Sequence, residues 1–344
     1  MPILRVINSE KGALVDKVSI VLATPVSEAG QKVIRAVDPR VELRDISDLA
    51  RRDYQGDEHA REEMNAILAG AEVVFGMRTP MNLLARAPKL KWIQVTSAGV
   101  DRYLTEEFKK NPVMLTNASG IHATPIGEFI VSLMLMFAKK APVLFENKQK
   151  KVWQRSPGTV LSGKTAGIVG LGDIGAEAAR LCKAFHMRVI ATRRTVKAEG
   201  RAPNVDVLLP SAELPRLLRE SDYVAVCTPL TPETRHLIGA KELHMMKPTA
   251  YIINIGRGPI IDEEALTLCL QEGRIAGAGL DVFSAEPLPP TSKLWELPNV
   301  IISPHVSGGR DDYEAGALEI FCRNLRLYLD GKKLTNLVDK EAGY

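Results

Sequence analysis

The sequence predicts an α/β protein made of two domains, each built around a parallel β-sheet. Its 344 residues are about twice the usual domain length of roughly 150 residues. Short β-branched runs alternate with amphipathic stretches along the chain, as they do in βα units. After residue 121 a long helical pattern begins and a new series of strands follows it. The length and this change of pattern together indicate two domains.

The first domain is predicted from four strands and two helices. The strands are expected at residues 18–22, 73–75, 92–95 and 113–115. Ser27 has the residue type of a helix N-cap, and we expect it to begin a helix that ends near Val37. A second helical pattern covers residues 59–69.

The second domain begins with a helical pattern over residues 125–140, followed by a polar loop rich in Lys and Gln. Six strands are then expected, at residues 165–169, 188–191, 223–227, 250–254, 277–281 and 300–303. This series indicates a complete doubly wound sheet. A last helix over residues 311–329 either caps this domain or crosses back to the first.

The composition argues against several classes of protein. Hydrophobic residues make up 45% and charged residues 25% of the chain, as in ordinary globular domains, which argues against disorder, collagen and a disulfide scaffold. The net charge of +4 is a small difference between 45 basic and 41 acidic residues. The densest basic run, residues 148–151, is interpreted as a solvated surface or loop. Nucleic acid is therefore not an expected partner.

The cysteines and the apolar runs predict a cytoplasmic protein. Cys182, Cys227, Cys269 and Cys322 form no CxxC pair and have no His at ligand spacing, so we expect no metal site and buried thiols in a reducing compartment. Charged residues interrupt the N-terminus, which argues against a signal peptide. The most apolar run, residues 129–138, is about half as long as a membrane span, so no membrane partner is expected.

A glycine-rich turn lies between a predicted strand and a predicted helix over residues 176–185. Gly170, Gly172 and Gly175 form the pattern G-x-G-x-x-G. The first glycine permits a tight turn, the second lets the backbone approach a pyrophosphate, and the third allows close packing of helix on strand. The helix N-terminus then presents free amides to phosphates. A simple tight turn is the alternative, but the strand, turn and helix together favour a bound dinucleotide.

Two arginines occupy the position where this pattern expects an acidic residue. Arg193 and Arg194 follow Thr192 at the end of the second strand, about 20 residues beyond the glycines. A carboxylate there would repel a 2′-phosphate, whereas guanidinium groups pair with one. NADP is therefore favoured over NAD. If both arginines instead point to solvent, the cofactor choice is loose and NAD stays possible.

Polar residues follow successive strands of the second domain, on the side of an open α/β sheet where ligands bind. They are Thr228, Arg257, Asp281, Glu286 and His305. Hydride transfer to a carbonyl leaves an alkoxide that needs a proton, and His is the usual donor near neutral pH. A carboxylate such as Glu286 would orient the ring and raise its pKa. An Arg would bind a substrate carboxylate and polarise the carbonyl.

These segments closely resemble the D-isomer-specific 2-hydroxyacid dehydrogenases. The resemblance rests on GLGDIG, PLTPETRHLIG, INIGRGPIIDEEAL, GLDVFSAEP and SPHVSGG, which stand in the family's order, and on SAGVD at residues 97–101. It implies two Rossmann-like domains with the active site in the cleft between them. Residues 1–118 and 311–344 would form a flavodoxin-like substrate-binding domain, and residues 119–310 the dinucleotide-binding domain. A homodimer is also implied.

The resemblance also implies roles for individual residues. Arg257 would anchor the substrate carboxylate and carbonyl, His305 would donate the proton with Glu286 as its partner, and the backbone of Ala98 and Gly99 would hold the carboxylate. The implied cofactor contacts are Gly170, Gly172, Asp173, Ile174, Gly175, Arg193, Arg194, Thr228, Pro229, Thr234, Ile255, Asp281 and Gly308. Trp153, in the loop after the long helix, is interpreted either as a wall of the substrate pocket or as a packing residue.

The arginine pair departs from the acid that much of the family keeps for NAD, and resembles the NADPH-preferring glyoxylate and hydroxypyruvate reductases. The sequence therefore predicts a reductase that transfers hydride from NADPH to a small 2-keto acid and gives the D-2-hydroxy acid. A dinucleotide-sensing binding protein, like the corepressors that resemble these dehydrogenases and retain their triad, is the alternative. Negligible turnover together with cofactor-dependent partner binding would favour it.

Overall fold

Hydrogen bonds between strands form one sheet of five strands and one of eight within residues 17–343, the part of the chain described by the computed structural model. The prediction that the N-terminus is not a signal peptide concerns residues outside this described range. The strands are β1 (Val18–Leu22), β2 (Val41–Asp45), β3 (Val73–Gly76), β4 (Trp92–Val95), β5 (Met114–Thr116), β6 (Thr165–Val169), β7 (Arg188–Arg193), β8 (Gly200–Ala202), β9 (Val205–Pro210), β10 (Tyr223–Val226), β11 (Tyr251–Asn254), β12 (Gly277–Leu280) and β13 (Val300–Ile302). The helices are α1 (Glu28–Arg35), α2 (Ser47–Tyr54), α3 (Glu58–Leu68), α4 (Leu83–Arg86), α5 (Glu106–Lys110), α6 (Ala123–Ala138), α7 (Ala141–Lys150), α8 (Asp173–Ala184), α9 (Leu214–Glu220), α10 (Ala240–Leu243), α11 (Glu263–Gln271) and α12 (Tyr313–Leu329).

The first sheet is entirely parallel, in the order β2-β1-β3-β4-β5. Ser27 caps α1 as predicted, because its side chain accepts a hydrogen bond from the Gly30 amide. The C-terminal helix α12 packs on this sheet. The ring of Phe321 lies 4.6 Å from that of Phe75 and 5.4 Å from that of Trp92, measured between centroids. Of the two placements predicted for the last helix, the structure therefore has the return to the first domain.

The second sheet has the order β13-β12-β11-β10-β6-β7-β9-β8, and β8 is its antiparallel strand. Its central part has the strand order of a doubly wound nucleotide-binding domain. Neighbouring residues of a strand face opposite sides of the sheet, so Ile168 packs in the core that contains α6 and α8 while Val169 packs in the core that contains α9 and α11. Both faces are thus covered, as a parallel sheet requires. The predicted α/β class is confirmed.

The ten predicted strands are present, with bounds that differ from the prediction by at most two residues. The predicted polar loop after the long helix is wrong, because residues Ala141–Lys150 form α7. None of the described residues of α7 is buried, so the segment lacks the apolar periodicity by which a helix is recognised in a sequence. Strands β2, β8 and β9 were not predicted either. The first two lie at sheet edges and carry no buried side chain, whereas β9 lies between β7 and β8 and is partly buried.

Contacts between residues divide the described chain into two compact units. One consists of residues 17–96, Lys110–Asn117 and Glu314–Leu337, and the other of Ser97–Lys109, Ala118–Tyr313 and residues 338–343. This division differs from the predicted boundary in that residues 97–109, 118, 311–313 and 338–343 group with the nucleotide-binding sheet. The substrate-binding role of the first unit stays a prediction.

Within residues 17–343, no helix is both long and apolar enough to cross a membrane. The same residues hold no cluster of His, Cys, Asp or Glu side chains suited to a metal ion. The four cysteines are free thiols, and burial raises the pKa of Cys182 to about 12. A thiol of this kind packs as an apolar residue and is not a nucleophile at neutral pH.

Replacing Phe321 with Ala tests whether α12 anchors the first sheet. Phe321 is fully buried, and removing such a ring costs about 3–5 kcal/mol of the free energy of unfolding. Urea unfolding followed by tryptophan fluorescence should report the loss, because Trp92 is buried beside Phe321. The control, Tyr54→Ala, removes a ring that is largely exposed and should cost less than about 1 kcal/mol. Equal midpoints for the two variants would contradict this placement of α12.

Candidate active site

The glycine turn after β6 packs closely against the loop after β10. Gly170 has φ +97°, and a Cβ atom added to it would lie 2.7 Å from Cγ2 of Thr228 and 3.1 Å from the carbonyl carbon of Cys227. Only glycine combines that backbone conformation with so close an approach. Because β6 and β10 are neighbours and the strand order reverses between them, this turn lies at the switch point where an open α/β sheet binds its ligand.

The other two glycines fit their predicted roles in packing and approach. A Cβ on Gly175 would lie 2.3 Å from the carbonyl oxygen of Gly170, so α8 packs tightly on the turn. Around a Cβ on Gly172, by contrast, no described atom lies within 4 Å. Gly172 immediately precedes Asp173 and Ile174 in the first turn of α8, so open space meets the backbone amides of a helix N-terminus. A diphosphate fits this cradle.

The loop after β10 carries a buried hydroxyl that needs a partner. Oγ1 of Thr228 is buried and has no hydrogen-bond partner among residues 17–343. Thr234 closes the same loop, since its hydroxyl donates to the carbonyl oxygen of Pro229 at 2.7 Å. Ile255 is buried at the end of the next strand. Buried hydroxyls are normally hydrogen-bonded. A bound dinucleotide in the neighbouring glycine cradle could supply the partner that the Thr228 hydroxyl lacks.

The arginine pair lies at the end of β7, beside the glycine turn. The amide of Leu171 donates to the carbonyl oxygen of Thr192 at 2.9 Å, and the next two side chains, Arg193 and Arg194, are exposed. The Thr231 hydroxyl lowers the pKa of Glu233, and the positive charge of Arg194 lowers it further. Arg194 therefore acts on the loop after β10 as well as lying at the edge of the cradle.

A His–carboxylate pair lies after β12 and β13. Nδ1 of His305 is 2.8 Å from Oε2 of Glu286, and Oε1 of Glu286 accepts from the Phe283 amide at 3.1 Å. The carboxylate is thus fixed at one oxygen by the backbone and at the other by the imidazole. Both side chains are partly exposed, so the ring is accessible while its orientation is set.

Asp281 supports the turn that carries His305. Its side chain is fully buried. Oδ1 accepts from the Ser303 hydroxyl at 2.6 Å and the Val306 amide at 2.9 Å, and Oδ2 accepts from the Ser307 amide at 3.0 Å. The structure therefore places Asp281 beneath residues 303–307, and its predicted cofactor contact stays a prediction.

Arg257 lies at the turn after β11, where close contacts fix its side chain. Nη1 donates to the Gly256 carbonyl oxygen at 2.7 Å and Nε donates to Oδ1 of Asp101 at 3.1 Å. A Cβ on Gly99 would lie 1.6 Å from Nη2, so the guanidinium lies directly against the Gly99 backbone. A Cβ on Gly258 would lie 1.9 Å from the carbonyl carbon of Phe283. The Arg257 turn therefore packs on the segment that leads to Glu286.

The structure brings the predicted catalytic and substrate-binding residues into contacts within one compact unit. Arg257 meets Gly99, next to Ala98, while His305 meets Glu286. Trp153 is 99% exposed, so it does not pack within its own chain.

Sequence reasoning missed His122 and the side-chain role of Asp101. His122 is buried, its Nε2 lies 3.3 Å from the Tyr313 hydroxyl oxygen, and a Cβ on Gly308 would lie 3.0 Å from its Cδ2. Burial lowers the pKa of His122, and the charges of Arg310 and Arg257 lower it further, although the Ala118 carbonyl acts in the opposite direction. A neutral imidazole therefore lies under Gly308. A single His outside any recognised segment gave no signal for this.

Comparisons with known proteins show the family to which the chain belongs. The family described as "D-isomer specific 2-hydroxyacid dehydrogenase, NAD binding domain" matches residues 131–307. A glyoxylate reductase from Thermococcus litoralis is 37% identical over 269 residues, which are 76% of this chain and 80% of that protein. A glyoxylate/hydroxypyruvate reductase B from Pectobacterium carotovorum is 35% identical, over 80% of this chain and 88% of that protein.

Among solved structures, an NADPH-dependent glyoxylate/hydroxypyruvate reductase from Sinorhizobium meliloti in complex with NADP and sulfate has a TM-score of 0.80 at 26% identity. The similarity covers 95% of this chain and all of that one. The chain belongs to the D-isomer-specific 2-hydroxyacid dehydrogenase family of NAD(P)-dependent oxidoreductases.

Proposed function

We propose that the protein reduces small 2-keto acids to D-2-hydroxy acids with NADPH, and that glyoxylate and hydroxypyruvate are its first substrates. One observation carries this proposal. Gly258, next to Arg257, packs on Phe283, and this contact brings the Arg257 turn to the segment that leads to the His305–Glu286 pair. The names of the relatives from Thermococcus, Pectobacterium and Sinorhizobium support the choice of substrates.

His305 is the proposed proton donor. Bound NADPH supplies a hydride to the carbonyl carbon, and the oxygen that becomes negative takes a proton from a nearby acid. With Nδ1 held by Glu286, Nε2 of His305 is the ring nitrogen that can give this proton. Glu286 also fixes the orientation of the ring, because its carboxylate is itself held in place by the Phe283 amide.

Arg257 is the proposed anchor of the substrate carboxylate. A guanidinium binds a carboxylate through two parallel hydrogen bonds, which fixes both the position and the plane of the substrate. Gly99 lies against Nη2 of Arg257. The backbone of Ala98 and Gly99 is thus placed to hold the same carboxylate.

The cofactor preference rests on Arg193 and Arg194. We propose that they pair with the 2′-phosphate of NADPH, while the glycine cradle and the Thr228 hydroxyl hold the rest of the dinucleotide. NAD stays possible, because the diphosphate that the cradle would hold is common to both dinucleotides. We assign Asp281 and Gly308 to the nicotinamide side of the cofactor. Asp281 would act there indirectly, by holding the turn at residues 303–307.

A homodimer in the cytoplasm completes the proposal. Helix α7 and the segment after it expose Val143, Leu144, Phe145, Val152 and Trp153. A group of large exposed apolar side chains so close together in the chain is typical of an interaction site. A second copy of the chain is the occupant that the family resemblance implies. The free thiols fit a reducing compartment.

Replacing His305 with Ala should lower kcat for glyoxylate by about 10²- to 10⁴-fold, because the general acid is lost. The Kd for NADPH, measured by fluorescence, should stay within about twofold of wild type. His59→Ala, which removes an exposed His on α3, is the matched control and should retain full activity. A near wild-type kcat in His305→Ala would refute the assignment.

Replacing Arg193 and Arg194 together with Ser should raise KM for NADPH by about tenfold or more, because each charge-assisted hydrogen bond to the phosphate contributes about 1.5–3 kcal/mol. KM for NADH should change little, since NADH lacks the 2′-phosphate. Initial rates with each cofactor measure both. A parallel rise in the two KM values would indicate a general loss of binding instead of a lost phosphate contact.

Replacing Leu144 and Phe145 with Glu should convert the dimer to a monomer at micromolar concentration, because charges at the centre of an apolar interface lose hydration without gaining partners. Light scattering after gel filtration measures the mass. Val33→Glu changes an exposed apolar residue on α1 and should leave the dimer intact. A wild-type protein that elutes as a monomer would contradict the proposed dimer directly.

A further inference from the structure

We infer that Asp101 is a positioning residue for the substrate carboxylate, because it sets which edge of the Arg257 guanidinium is presented. This inference rests on the proposed function. It concerns a side chain that the SAGVD segment carries at its last position, where only the backbone of Ala98 and Gly99 had been assigned a role.

The contacts of Arg257 divide its donors into used and free ones. A guanidinium has five N–H donors and no acceptor. The single donor on Nε goes to Oδ1 of Asp101 at 3.1 Å, and one donor on Nη1 goes to the Gly256 carbonyl oxygen at 2.7 Å. Within residues 17–343, the donors that have no hydrogen-bond acceptor are one on Nη1 and both on Nη2.

With these donors in use, one edge of the Arg257 guanidinium is available to an incoming anion. A carboxylate can bind side-on, to Nε and Nη2, or end-on, to Nη1 and Nη2. Asp101 occupies Nε, so the side-on edge is taken and the end-on edge remains. Nη2 also lies against Gly99, so the free edge is next to the backbone assigned to the same carboxylate.

Hydrogen bonds hold the backbone on both sides of the Asp101–Arg257 contact. These bonds help to set the orientation of the Arg257 guanidinium. Nδ2 of Asn254 donates to the Arg257 carbonyl oxygen at 3.1 Å, and Oδ1 of Asn254 accepts from the Gly256 amide at 3.1 Å. The hydroxyl of Ser97 donates to the Gly99 carbonyl oxygen at 2.9 Å. The Asp101–Arg257 ion pair, with both side chains partly exposed, links these two ordered segments.

The test compares Asp101→Ala and Asp101→Asn with wild type. The probes are glyoxylate for KM and kcat, and oxamate, an unreactive analogue of a 2-keto acid, for Kd in the presence of NADPH. Asp101→Ala removes the acceptor and should raise both KM for glyoxylate and Kd for oxamate about tenfold, the usual effect of losing a hydrogen bond to a charged group. The change in kcat should be smaller, and Kd for NADPH should stay within about twofold. Asp101→Asn keeps an oxygen that can accept from Nε and should lie between wild type and Asp101→Ala.

A double-mutant cycle separates positioning from general damage to the fold. In an Arg257→Lys background there is no guanidinium to orient, so adding Asp101→Ala should change Kd for oxamate less than about twofold. The control is Asp48→Asn, which breaks an exposed Asp–Arg pair on α2 and should leave every constant unchanged.

Two outcomes would overturn the inference. One is a rise in Kd for oxamate of less than about threefold in Asp101→Ala. The other is an equal rise when Asp101→Ala is added to the wild-type and to the Arg257→Lys backgrounds, which shows that the two positions act independently. If the wild-type protein turns over none of the 2-keto acids, the proposed function fails and this inference fails with it. If wild type is active and the Asp101 variants match it, only the positioning role fails.

Discussion

The buried carboxylate of Asp281 fixes the turn on which the proposed chemistry depends. Three donors from residues 303–307 converge on its two oxygens, and the amide of His305 also donates to the Asp281 carbonyl oxygen at 2.9 Å. A carboxylate removed from water is costly unless its oxygens are paired, so this turn and this side chain stabilise each other. His305 has φ +53°, a conformation that few non-glycine residues adopt, and the turn holds it there. The imidazole therefore contacts Glu286 from a backbone segment that hydrogen bonds to the buried Asp281 hold in place.

Glycines then bring the ends of different strands close enough to act together. Gly170 lets the loop after β6 contact the loop after β10, Gly258 lets the Arg257 turn pack on Phe283, and Gly99 lets the guanidinium lie against the backbone. A side chain at any of these positions would collide with backbone or with the guanidinium. Parallel strands end at the same edge of the sheet, so short loops with small residues suffice to bring the glycine turn, the proposed proton donor and the proposed anion-binding arginine to one edge.

Much of this could be predicted from the sequence, since buried strands and ordered motifs leave strong signals. Most of the ten predicted strands are runs of buried apolar residues, and the glycine turn, the arginine pair and the Arg, Glu and His of the site stand in recognisable segments. Helix α7 was missed because none of its described residues is buried, so its sequence shows no apolar periodicity. The pairing of Asp101 with Arg257 joins residues 156 positions apart, and the burial of His122 beneath Gly308 depends on packing between α6 and a distant turn. Neither contact has a local pattern that a single sequence can display.

The central claim is that the protein reduces small 2-keto acids with NADPH. Initial rates of absorbance loss at about 340 nm, the band of reduced nicotinamides in general, with wild-type protein and glyoxylate, hydroxypyruvate or pyruvate test it directly when NADPH and NADH are used in parallel. We expect turnover with glyoxylate and hydroxypyruvate. We also expect kcat/KM to be well above its value with NADH when NADPH is the hydride donor. Absence of turnover with every pair, in a protein shown to bind the nucleotide, would contradict the reductase and favour a nucleotide-sensing role.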